Sequence, residues 1–361
     1  MKHVSSFIGN VGDVLSNYGL SSYLTEKSLN ELEKIEIRDF YRNVTIEKRR
    51  SFDELFSECQ QAEQTLIIGG GGFLDYWVDG SRTATTIDVD LELLAKTNFK
   101  LIITSVGSFP HKHFAPSNIE RFVEFMTALS KRKNTHVMLR NDGSYQELQS
   151  VLPRSVLETV HNGADNAYLL EPKLKSMPKT VGDYVVFNVA LDQLFMKSKF
   201  RDGIDFNHFK CEVIKTVEYV VKAMGKKVVL VPHLVSDVKF YVELCEDLED
   251  LMVRRDVKIF SYSGQEKDIH SYIDIYANSY ANVCTRLHSN ILSAMLDKKT
   301  ISLCVLDRVR NIAEQHENLF KIIELEETFS DLAISYLKKA GFKSNVNSNF
   351  NLLDKFYSEY L

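Results

Sequence analysis

The sequence is poor in cysteine, proline and tryptophan, and it has no long apolar run. It contains five cysteines, six prolines and one tryptophan in 361 residues. The cysteines are widely spaced, odd in number and without a CxxC pair, which argues against a disulfide framework and against a zinc site. No run is apolar enough to cross a bilayer, and the N-terminal MKHVSSFIGNVGD lacks the apolar block of a secretory signal. We therefore expect a cytoplasmic protein without a resident metal.

The charge balance is mildly acidic. Lys and Arg number 44 and Asp and Glu number 49, which gives a net charge of −5. A nucleic-acid-binding protein needs a basic surface to neutralise phosphates, so we expect no nucleic-acid partner. The hydrophobic share of 44% and the charged share of 26% are those of an ordinary globular chain, which excludes collagen-like and disordered proteins. A local basic cleft for a small anion is compatible with this balance.

Short apolar runs alternate with amphipathic helical patterns along the chain. The runs are rich in Val, Ile and Leu and lack the in-out alternation of a half-exposed sheet, which predicts buried strands. They lie at residues 65–68, 101–104, 137–139, 184–187, 228–231 and 301–305. Residues 120–131 and 209–224 place apolar side chains on one helical face. This alternation predicts an α/β fold with parallel sheets.

A proline- and lysine-containing segment, PKLKSMPKTVG at residues 172–182, interrupts the apolar pattern. Such a segment is typical of a domain boundary, and the chain length also suggests two domains. We predict an N-terminal Rossmann-like domain over residues 1–175, a C-terminal Rossmann-like domain over residues 176–335 and a helical tail over residues 336–361. We expect the two domains to face each other across a ligand-binding cleft.

Polar or glycine-rich segments follow several of the predicted strands. The carboxyl edge of a parallel sheet is where such loops bind ligands. In the first segment, GNVGD, Asn10 is a candidate acceptor contact. Asp13 either caps the next helix or faces the cleft as a base or as a ligand of a substrate hydroxyl. The run of four glycines at 69–72 lets the backbone approach a ligand closely, presents backbone N–H groups of Gly70 and Gly71 to an anionic donor at a helix start, or makes a tight strand-to-helix turn.

Three more side chains of the first half are candidates. Asp75 and His111 are candidate acceptor contacts. The His-Lys-His stretch around His111 has no carboxylate at ligand spacing, so we expect a cleft loop there and no metal site. Ser144 and Glu147 fit a capping box, which predicts a helix start. Arg140 precedes that start and either binds a phosphate or carboxylate of the donor or pairs with a carboxylate of the chain.

The densest polar cluster of the second half is Arg286-Leu-His-Ser289. Arg286 and His288 flank Leu287, so they share one face where an extended segment leads into a helix. The N–H groups at Ser289 and beyond add a positive field. The pattern predicts an anion site in which His288 transfers protons near neutral pH, or a purely structural Arg–His pair. His233, which follows the strand at 228–231, is another candidate acceptor contact.

The segments GNVGD, GGGGFLD, RNDGS and RLHS, in this order along the chain, resemble those of the polysaccharide pyruvyl transferases. The resemblance spans residues 5–310. It implies a GT-B-like fold, with two Rossmann-like domains facing across a cleft. It also implies transfer of pyruvate from phosphoenolpyruvate onto two hydroxyls of a sugar in polysaccharide biosynthesis, which forms a cyclic ketal and releases phosphate.

The resemblance also implies roles for individual residues of this chain. The RLH motif, Arg286 to His288, matches the donor site, and Arg140 matches a second donor arginine. His288 is then the candidate acid or phosphate ligand, and Asp13 is the candidate base. Phosphoenolpyruvate is a co-substrate, so we expect no cofactor and no metal. The acceptor is a sugar or a lipid-linked oligosaccharide, and we expect membrane association only through that acceptor.

Two other functions fit the same sequence. A GT-B glycosyltransferase would use a nucleotide sugar and often has a carboxylate near the second-domain helix start to bind ribose hydroxyls. This chain has no acidic residue between Cys284 and Leu296, which favours a small anionic donor. A non-catalytic carbohydrate-binding relative would keep the fold and lose turnover. Tyr76 and Trp77 could stack on a sugar in such a protein, or they could belong to the core or its rim.

Overall fold

The computed structural model describes residues 1–29, 32–41, 49–109, 114–178, 180–198, 205–325, 328–339 and 348–361. The strands are β1 (Lys2–Ser5), β2 (Glu33–Glu36), β3 (Leu66–Gly71), β4 (Leu101–Val106), β5 (Thr135–Leu139), β6 (Val160–Asn162), β7 (Tyr184–Asn188), β8 (Lys227–Leu230), β9 (Val257–Ile259), β10 (Ala281–Cys284), β11 (Thr300–Cys304) and β12 (Phe320–Glu324).

Helices lie between the strands in most of the connections. They are α1 (Val11–Glu26), α2 (Phe52–Gln61), α3 (Leu91–Lys96), α4 (Ser117–Ser130), α5 (Ser144–Val151), α6 (Arg154–Leu157), α7 (Glu171–Lys175), α8 (Leu191–Ser198), α9 (Phe206–Glu218), α10 (Val235–Glu246), α11 (Asp250–Arg255), α12 (Ile269–Ala277), α13 (Leu287–Met295), α14 (Asp307–Glu314), α15 (Phe329–Lys338) and α16 (Phe350–Tyr360). None of the helices in the described ranges has the length and hydropathy needed to cross a bilayer.

The strands form two six-stranded sheets. The strand order is β2-β1-β3-β4-β5-β6 in the first sheet and β12-β11-β10-β7-β8-β9 in the second. Neighbouring strands in each sheet are parallel. β3, β4 and β11 are buried along their whole length, as expected for strands covered on both faces. The predicted α/β fold with parallel sheets is confirmed.

The chain divides into two compact units. Unit 1 contains residues 1–8, 16–169 and 349–361, and unit 2 contains residues 9–15 and 170–348. Each unit has its own apolar core, which packs around the first sheet in unit 1 and around the second sheet in unit 2. The predicted domain boundaries at 175/176 and 335/336 stay a prediction. By its contacts, the terminal helix α16 belongs to unit 1, and the first turn of α1 belongs to unit 2.

The strand order of each sheet reverses at one place. In unit 2 the chain proceeds from β7 through β8 to β9 on one side, and it then continues from β10 to β12 on the other side of β7. In unit 1 the reversal lies between β1 and β3. Open α/β sheets bind ligands outside the carboxyl ends of the strands at such switch points. The switch point of unit 2 lies where β7 and β10 end, next to Arg286.

Candidate functional site

Arg286 links strand β10 to helix α13 at the switch point of unit 2. Its backbone is extended, with φ −85° and ψ 145°, and the helix begins at the next residue. The Ser289 hydroxyl and the Asn290 side-chain amide both donate to the Arg286 carbonyl oxygen, at 2.7 and 2.8 Å. These bonds fix the backbone of Arg286 where it leaves the sheet. Ser289, a predicted donor contact, thus directs its hydroxyl hydrogen to the chain itself.

The Arg286 guanidinium is buried between two carboxylates. Its Nε donates to Asp237 Oδ2 at 2.9 Å, and its Nη2 donates to Asp237 Oδ1 at 2.5 Å and to Asp192 Oδ1 at 2.8 Å. The Asp237 side chain is 1% exposed and that of Asp192 is 35% exposed. Burial by itself lowers the pKa of Arg286, but the charges of Asp237 and Asp192 raise it above its ordinary value. Arg286 therefore keeps its positive charge.

Asp237 also fixes the loop that follows strand β8. Its Oδ2 atom accepts hydrogen bonds from the backbone N–H groups of His233 and Leu234, at 2.9 and 3.0 Å. The same carboxylate therefore connects this loop, the first turn of helix α10 and the Arg286 guanidinium. Asp237 and Asp192 complete the arrangement around Arg286. In the sequence they appear only as acidic residues near predicted strand ends, which does not identify them as its partners.

His288 packs against the first turn of helix α1. A Cβ atom at Gly12 would lie 2.3 Å from His288 Nδ1 and 2.7 Å from His288 Cγ. The imidazole ring therefore occupies the space that any larger residue at position 12 would fill. Its side chain is mostly buried, with 8% of the residue exposed. Leu287, the preceding residue and a predicted donor contact, is buried as well.

Asn10 caps helix α1, so the expectation that Asp13 caps it is wrong. Asn10 Oδ1 accepts from the backbone N–H of Gly12 at 3.0 Å, and Asn10 Nδ2 donates to Asp13 Oδ2 at 3.0 Å. Asp13 is the third residue of the helix and lies three positions after the cap, and its carboxylate accepts a hydrogen bond from the capping side chain. Both residues belong to the segment that packs in unit 2, together with His288.

His233 is buried in the same unit. Its carbonyl oxygen accepts from the Val11 N–H at 3.0 Å, and its Nε2 lies 3.1 Å from the Tyr276 hydroxyl. Burial, followed by the positive charge of Arg286 and the charge of His288, holds the pKa of His233 well below its ordinary value. We therefore expect a neutral imidazole at neutral pH. Within the described ranges, no cluster of three or more His, Cys, Asp or Glu side chains is placed to hold a metal ion.

Arg140 lies in unit 1, directly after strand β5. Its Nε donates to Asp142 Oδ2 at 2.5 Å, and both side chains are buried. A Cβ at Gly107 would lie 2.5 Å from Arg140 Nη2, so the guanidinium packs on the backbone of Gly107. Burial by itself lowers the pKa of Arg140, but the charges of Asp142, Asp165 and Asp75 outweigh this effect and hold the pKa above its ordinary value. Of the two alternatives for Arg140, the structure shows the pairing with a carboxylate of the chain. A role of Arg140 in donor binding stays a prediction.

The glycine run at 69–72 does not lead into a helix. Strand β3 extends to Gly71, and the next helix, α3, begins only at Leu91. Gly70 has a φ of +89°, and a Cβ there would lie 2.8 Å from Asn17 Oδ1 and from Ser5 Oγ. The predictions of a helix start and of a tight strand-to-helix turn directly after the glycines are therefore wrong, and the donor contact of the Gly70 and Gly71 backbone stays a prediction. The glycines allow close packing and a left-handed backbone at the end of β3.

The remaining candidates of unit 1 are Asp75, the predicted capping box at Ser144 and His111. Asp75 is 4% exposed, and its Oδ1 accepts from the Phe109 N–H at 2.8 Å. Helix α5 begins at Ser144 as predicted, but the capping box is wrong. Ser144 Oγ donates to Asp142, two residues earlier, and accepts from the Ser108 N–H, and Glu147 accepts from the Tyr76 hydroxyl. These partners replace the helix N–H groups of a capping box. The position of His111 lies outside the described residues.

Several solved structures have the same fold. UDP-GlcNAc 2-epimerase from Methanocaldococcus jannaschii has a TM-score of 0.57 at 10% identity, with 99% of each chain covered. The enzyme from Neisseria meningitidis bound to UDP-GlcNAc has a TM-score of 0.55 at 11% identity, with 99% of each chain covered. A putative UDP-N-acetylglucosamine 2-epimerase from Listeria monocytogenes has a TM-score of 0.55 at 11% identity, over 99% of this chain and 96% of the other. The structural similarity shows a GT-B-like fold, and at identities this low it shows no activity.

The sequence comparisons give one family. No curated protein sequence matches the chain. The model of the family described as polysaccharide pyruvyl transferase matches residues 10–303. The matched range includes the segment of Asn10 and Asp13, the glycine run, Arg140 and the whole RLH motif.

Proposed function

Because the chain belongs to the polysaccharide pyruvyl transferase family, we propose that it transfers pyruvate from phosphoenolpyruvate onto two hydroxyls of a sugar. The observation that most supports this donor is the buried Arg286 beside His288 and His233 at the switch point of unit 2. Phosphoenolpyruvate carries a carboxylate and a phosphate. A guanidinium binds either group through two parallel hydrogen bonds.

The two carboxylates on Arg286 have different roles in this proposal. Asp237 is buried and tied to two backbone N–H groups, so it stays in place and orients the guanidinium. Asp192 is one-third exposed and holds only Nη2. An anionic group of the donor replaces Asp192 on Nη2, since it offers the same oxygen geometry. The exchange keeps the charge of Arg286 paired at every stage, which a buried charge requires.

The chemistry uses the enol double bond of the donor. A proton adds to the methylene carbon C3 and makes C2 electrophilic. One sugar hydroxyl adds to C2, the C2–O bond to phosphate breaks, and the second hydroxyl closes the ketal ring. Of the two hydroxyl protons, one balances the proton that C3 gained and the other leaves with phosphate. His288 is the proposed acid or phosphate ligand, and Asp13 is the proposed base.

The other predicted contacts complete the proposal. Arg140 is the proposed second donor arginine. The backbone of Gly70 and Gly71 and the side chain of Ser289 are further donor contacts. The proposed contacts of the acceptor, a sugar or a lipid-linked oligosaccharide, are Asn10, Asp75, His111 and His233. We propose that the protein works in the cytoplasm and reaches a membrane only through its acceptor, and that neither a cofactor nor a metal takes part, since cationic side chains stabilise the developing charge.

Thermal denaturation with candidate donors tests this function. A ligand that binds only the native state raises the melting temperature. We expect phosphoenolpyruvate to raise it and UDP-GlcNAc to leave it unchanged. Stabilisation by the nucleotide sugar alone would contradict the proposal and favour a nucleotide-sugar transferase.

Phosphate release with a panel of sugar acceptors tests catalysis directly. We expect acceptor-dependent release that the His288→Ala variant reduces by about 100-fold or more, which is the usual contribution of a general acid. The exposed His270→Ala variant is the matched control. Normal turnover of His288→Ala would remove His288 from the mechanism.

A further inference from the structure

A cavity of about 390 Å³ lies in unit 1 beside the loop that follows strand β3. Gly72, the residue just beyond the carboxyl end of β3, is part of its wall. Among the other residues of the wall are three aromatic and three polar side chains, Phe40, Tyr41, Trp77, Asp79, Thr86 and Asp88. We call this space the Trp77 cavity. Its volume is within the range of small-molecule sites, about 300–1,000 Å³.

Local hydrogen bonds hold the loop in one shape. Ser81 Oγ donates to the Thr85 carbonyl at 2.8 Å, and Thr83 Oγ1 donates to the Ile87 carbonyl at 2.8 Å. Ala84 adopts a left-handed φ of +59°, which is uncommon for a residue with a side chain and persists where its surroundings hold it. The wall of the cavity is therefore formed before a ligand arrives, which lowers the entropic cost of binding.

An arginine anchors the far end of the same loop. Arg82 forms ion pairs with Asp53 at 2.9 Å, Asp88 at 3.0 Å and Asp90 at 3.6 Å. One guanidinium thus faces three carboxylates, so the local charge sum is negative. None of the described residues that line the cavity is Lys, Arg or His. An anionic ligand would meet unfavourable charge here, whereas a neutral ligand would not.

The residue types of the wall suit a neutral sugar. The flat apolar rings of Trp77 and Tyr41 match the C–H faces of a pyranose. The carboxylates of Asp79 and Asp88 accept hydrogen bonds from hydroxyl groups. Asp79 Oδ1 accepts from the Asn118 side-chain amide at 3.1 Å, which orients the carboxylate. Aromatic rings beside fixed acceptors, with no cationic residue among the described residues of the wall, are the features that recognise a polyhydroxyl ring.

We propose that the Trp77 cavity binds one neutral sugar unit of the acceptor. The proposal rests on the proposed function, because it names the surface that holds the acceptor. It uses none of the residues that we assign to the donor. The acidic cavity of unit 1 and the arginine site of unit 2 then select chemically different substrates.

Tryptophan fluorescence tests the proposal without any turnover, since Trp77 is the one tryptophan of the chain. The probes are the methyl glycosides of glucose, galactose, mannose and N-acetylglucosamine, and oligosaccharides built from them. We expect at least one of them to change the emission saturably. Phosphoenolpyruvate alone should leave the emission unchanged. A response to phosphoenolpyruvate alone, or no response to any saccharide, would overturn the proposal.

A matched pair of sugars tests the charge argument. Methyl glucuronide has a carboxylate in place of the hydroxymethyl group of methyl glucoside, and this carboxylate would lie in the field of Asp79 and Asp88. We expect it to bind about tenfold more weakly than the glucoside, and the Asp79→Asn variant to narrow that difference. If the two sugars bind equally, the carboxylates do not select the ligand and the proposal fails.

Kinetic variants separate this proposal from the proposed function. We expect Trp77→Ala to raise KM for the sugar about tenfold or more, with kcat and KM for phosphoenolpyruvate unchanged, and Trp77→Phe to restore most of the loss. If pyruvyl transfer proceeds and Trp77→Ala has wild-type kinetics, the cavity proposal fails alone. If neutral sugars change the Trp77 emission but no pyruvyl transfer occurs, the proposed function fails alone.

Discussion

Arg286 and Arg140 are buried cations whose charges are compensated by nearby carboxylates. Each guanidinium is at least nine-tenths buried, and burying an unpaired charge costs several kcal/mol. The sequence identifies both arginines because each follows a predicted strand. It does not identify the partner of Arg286, because Asp237 is 49 residues away in the chain and only the folded sheet brings the two together. Candidate residues could thus be predicted, but not the charge state of their surroundings.

Substitution of the two carboxylates on Arg286 should have opposite effects. Asp237→Asn removes the charge that orients the guanidinium, and we expect kcat/KM for phosphoenolpyruvate to fall about 100-fold, as for a misplaced catalytic group. Asp192→Asn removes the carboxylate that competes with the donor, and we expect KM for phosphoenolpyruvate to fall about two- to fivefold. Steady-state kinetics measures both. An increase of KM for phosphoenolpyruvate in Asp192→Asn would contradict the proposal that the donor replaces Asp192 on Arg286.

Gly12 should control the position of His288. In Gly12→Ala the new methyl group overlaps the imidazole ring, so the ring must move, and we expect kcat to fall about 10- to 100-fold. Alanine also favours a helix over glycine by about 1 kcal/mol, so we expect the fold to remain intact. Rate measurements and thermal denaturation check the two effects. In a His288→Ala background, Gly12→Ala should cause no further loss, and an additive loss would exclude an effect through His288.

At the scale of the element, buried strands were easier to predict than caps and edges. The six apolar runs correspond to β3, β4, β5, β7, β8 and β11, because burial on both faces leaves an uninterrupted apolar signal. Strand β2, with the sequence EKIE, and strand β9, with the sequence VKI, are short edge strands that contain charged residues, and they give no such signal. The capping predictions for Asp13 and Ser144 are wrong because a neighbouring side chain competes for the same hydrogen bonds.

The terminal helix α16 should contribute to the stability of unit 1 through one buried hydroxyl. The Tyr357 hydroxyl oxygen lies 2.8 Å from Thr104 Oγ1, and the hydroxyl donates to Asn166 Oδ1 at 2.7 Å. In Tyr357→Phe both groups lose a buried partner, so we expect the free energy of unfolding to fall by about 1–3 kcal/mol. Urea denaturation measures the change. The control Tyr360→Phe keeps the ring that stacks on His136, and an equal loss in both variants would contradict the role of the hydroxyl.

At the scale of the whole molecule, the fold class was predictable and the strand order was not. Alternating strands and helices require parallel sheets, but the order in which the strands pair depends on contacts between distant parts of the chain. The two switch points follow only from that order. The same limit applies to helix α16 and to the first turn of α1. Each of these two segments packs in one unit, whereas the residues that adjoin it in the sequence pack in the other unit.

His3 should make the molecule sensitive to acid. Burial, followed by the charge of Lys34, lowers the pKa of His3 from 6.5 to about 3. Between these pH values the unfolded chain takes up a proton that the folded chain does not, so the free energy of unfolding falls as the pH drops below about 6.5. From pH 7.5 to pH 5 we expect His3→Asn to lose about 2 kcal/mol less than the wild type.

Denaturant unfolding at the two pH values measures this difference. The exposed His270→Asn variant is the control, and we expect it to lose as much stability as the wild type. Equal acid sensitivity of His3→Asn and the wild type would show that His3 is not the group that takes up the proton.

Carbon NMR with phosphoenolpyruvate labelled at C2 tests the central claim most directly. We expect the C2 signal of the enol to be replaced by that of a ketal carbon attached to two sugar oxygens, together with one phosphate released per ketal. We expect Arg286→Ala to abolish this conversion. A labelled carbon that stays in phosphoenolpyruvate or appears only as free pyruvate, with every acceptor tested, would contradict the account.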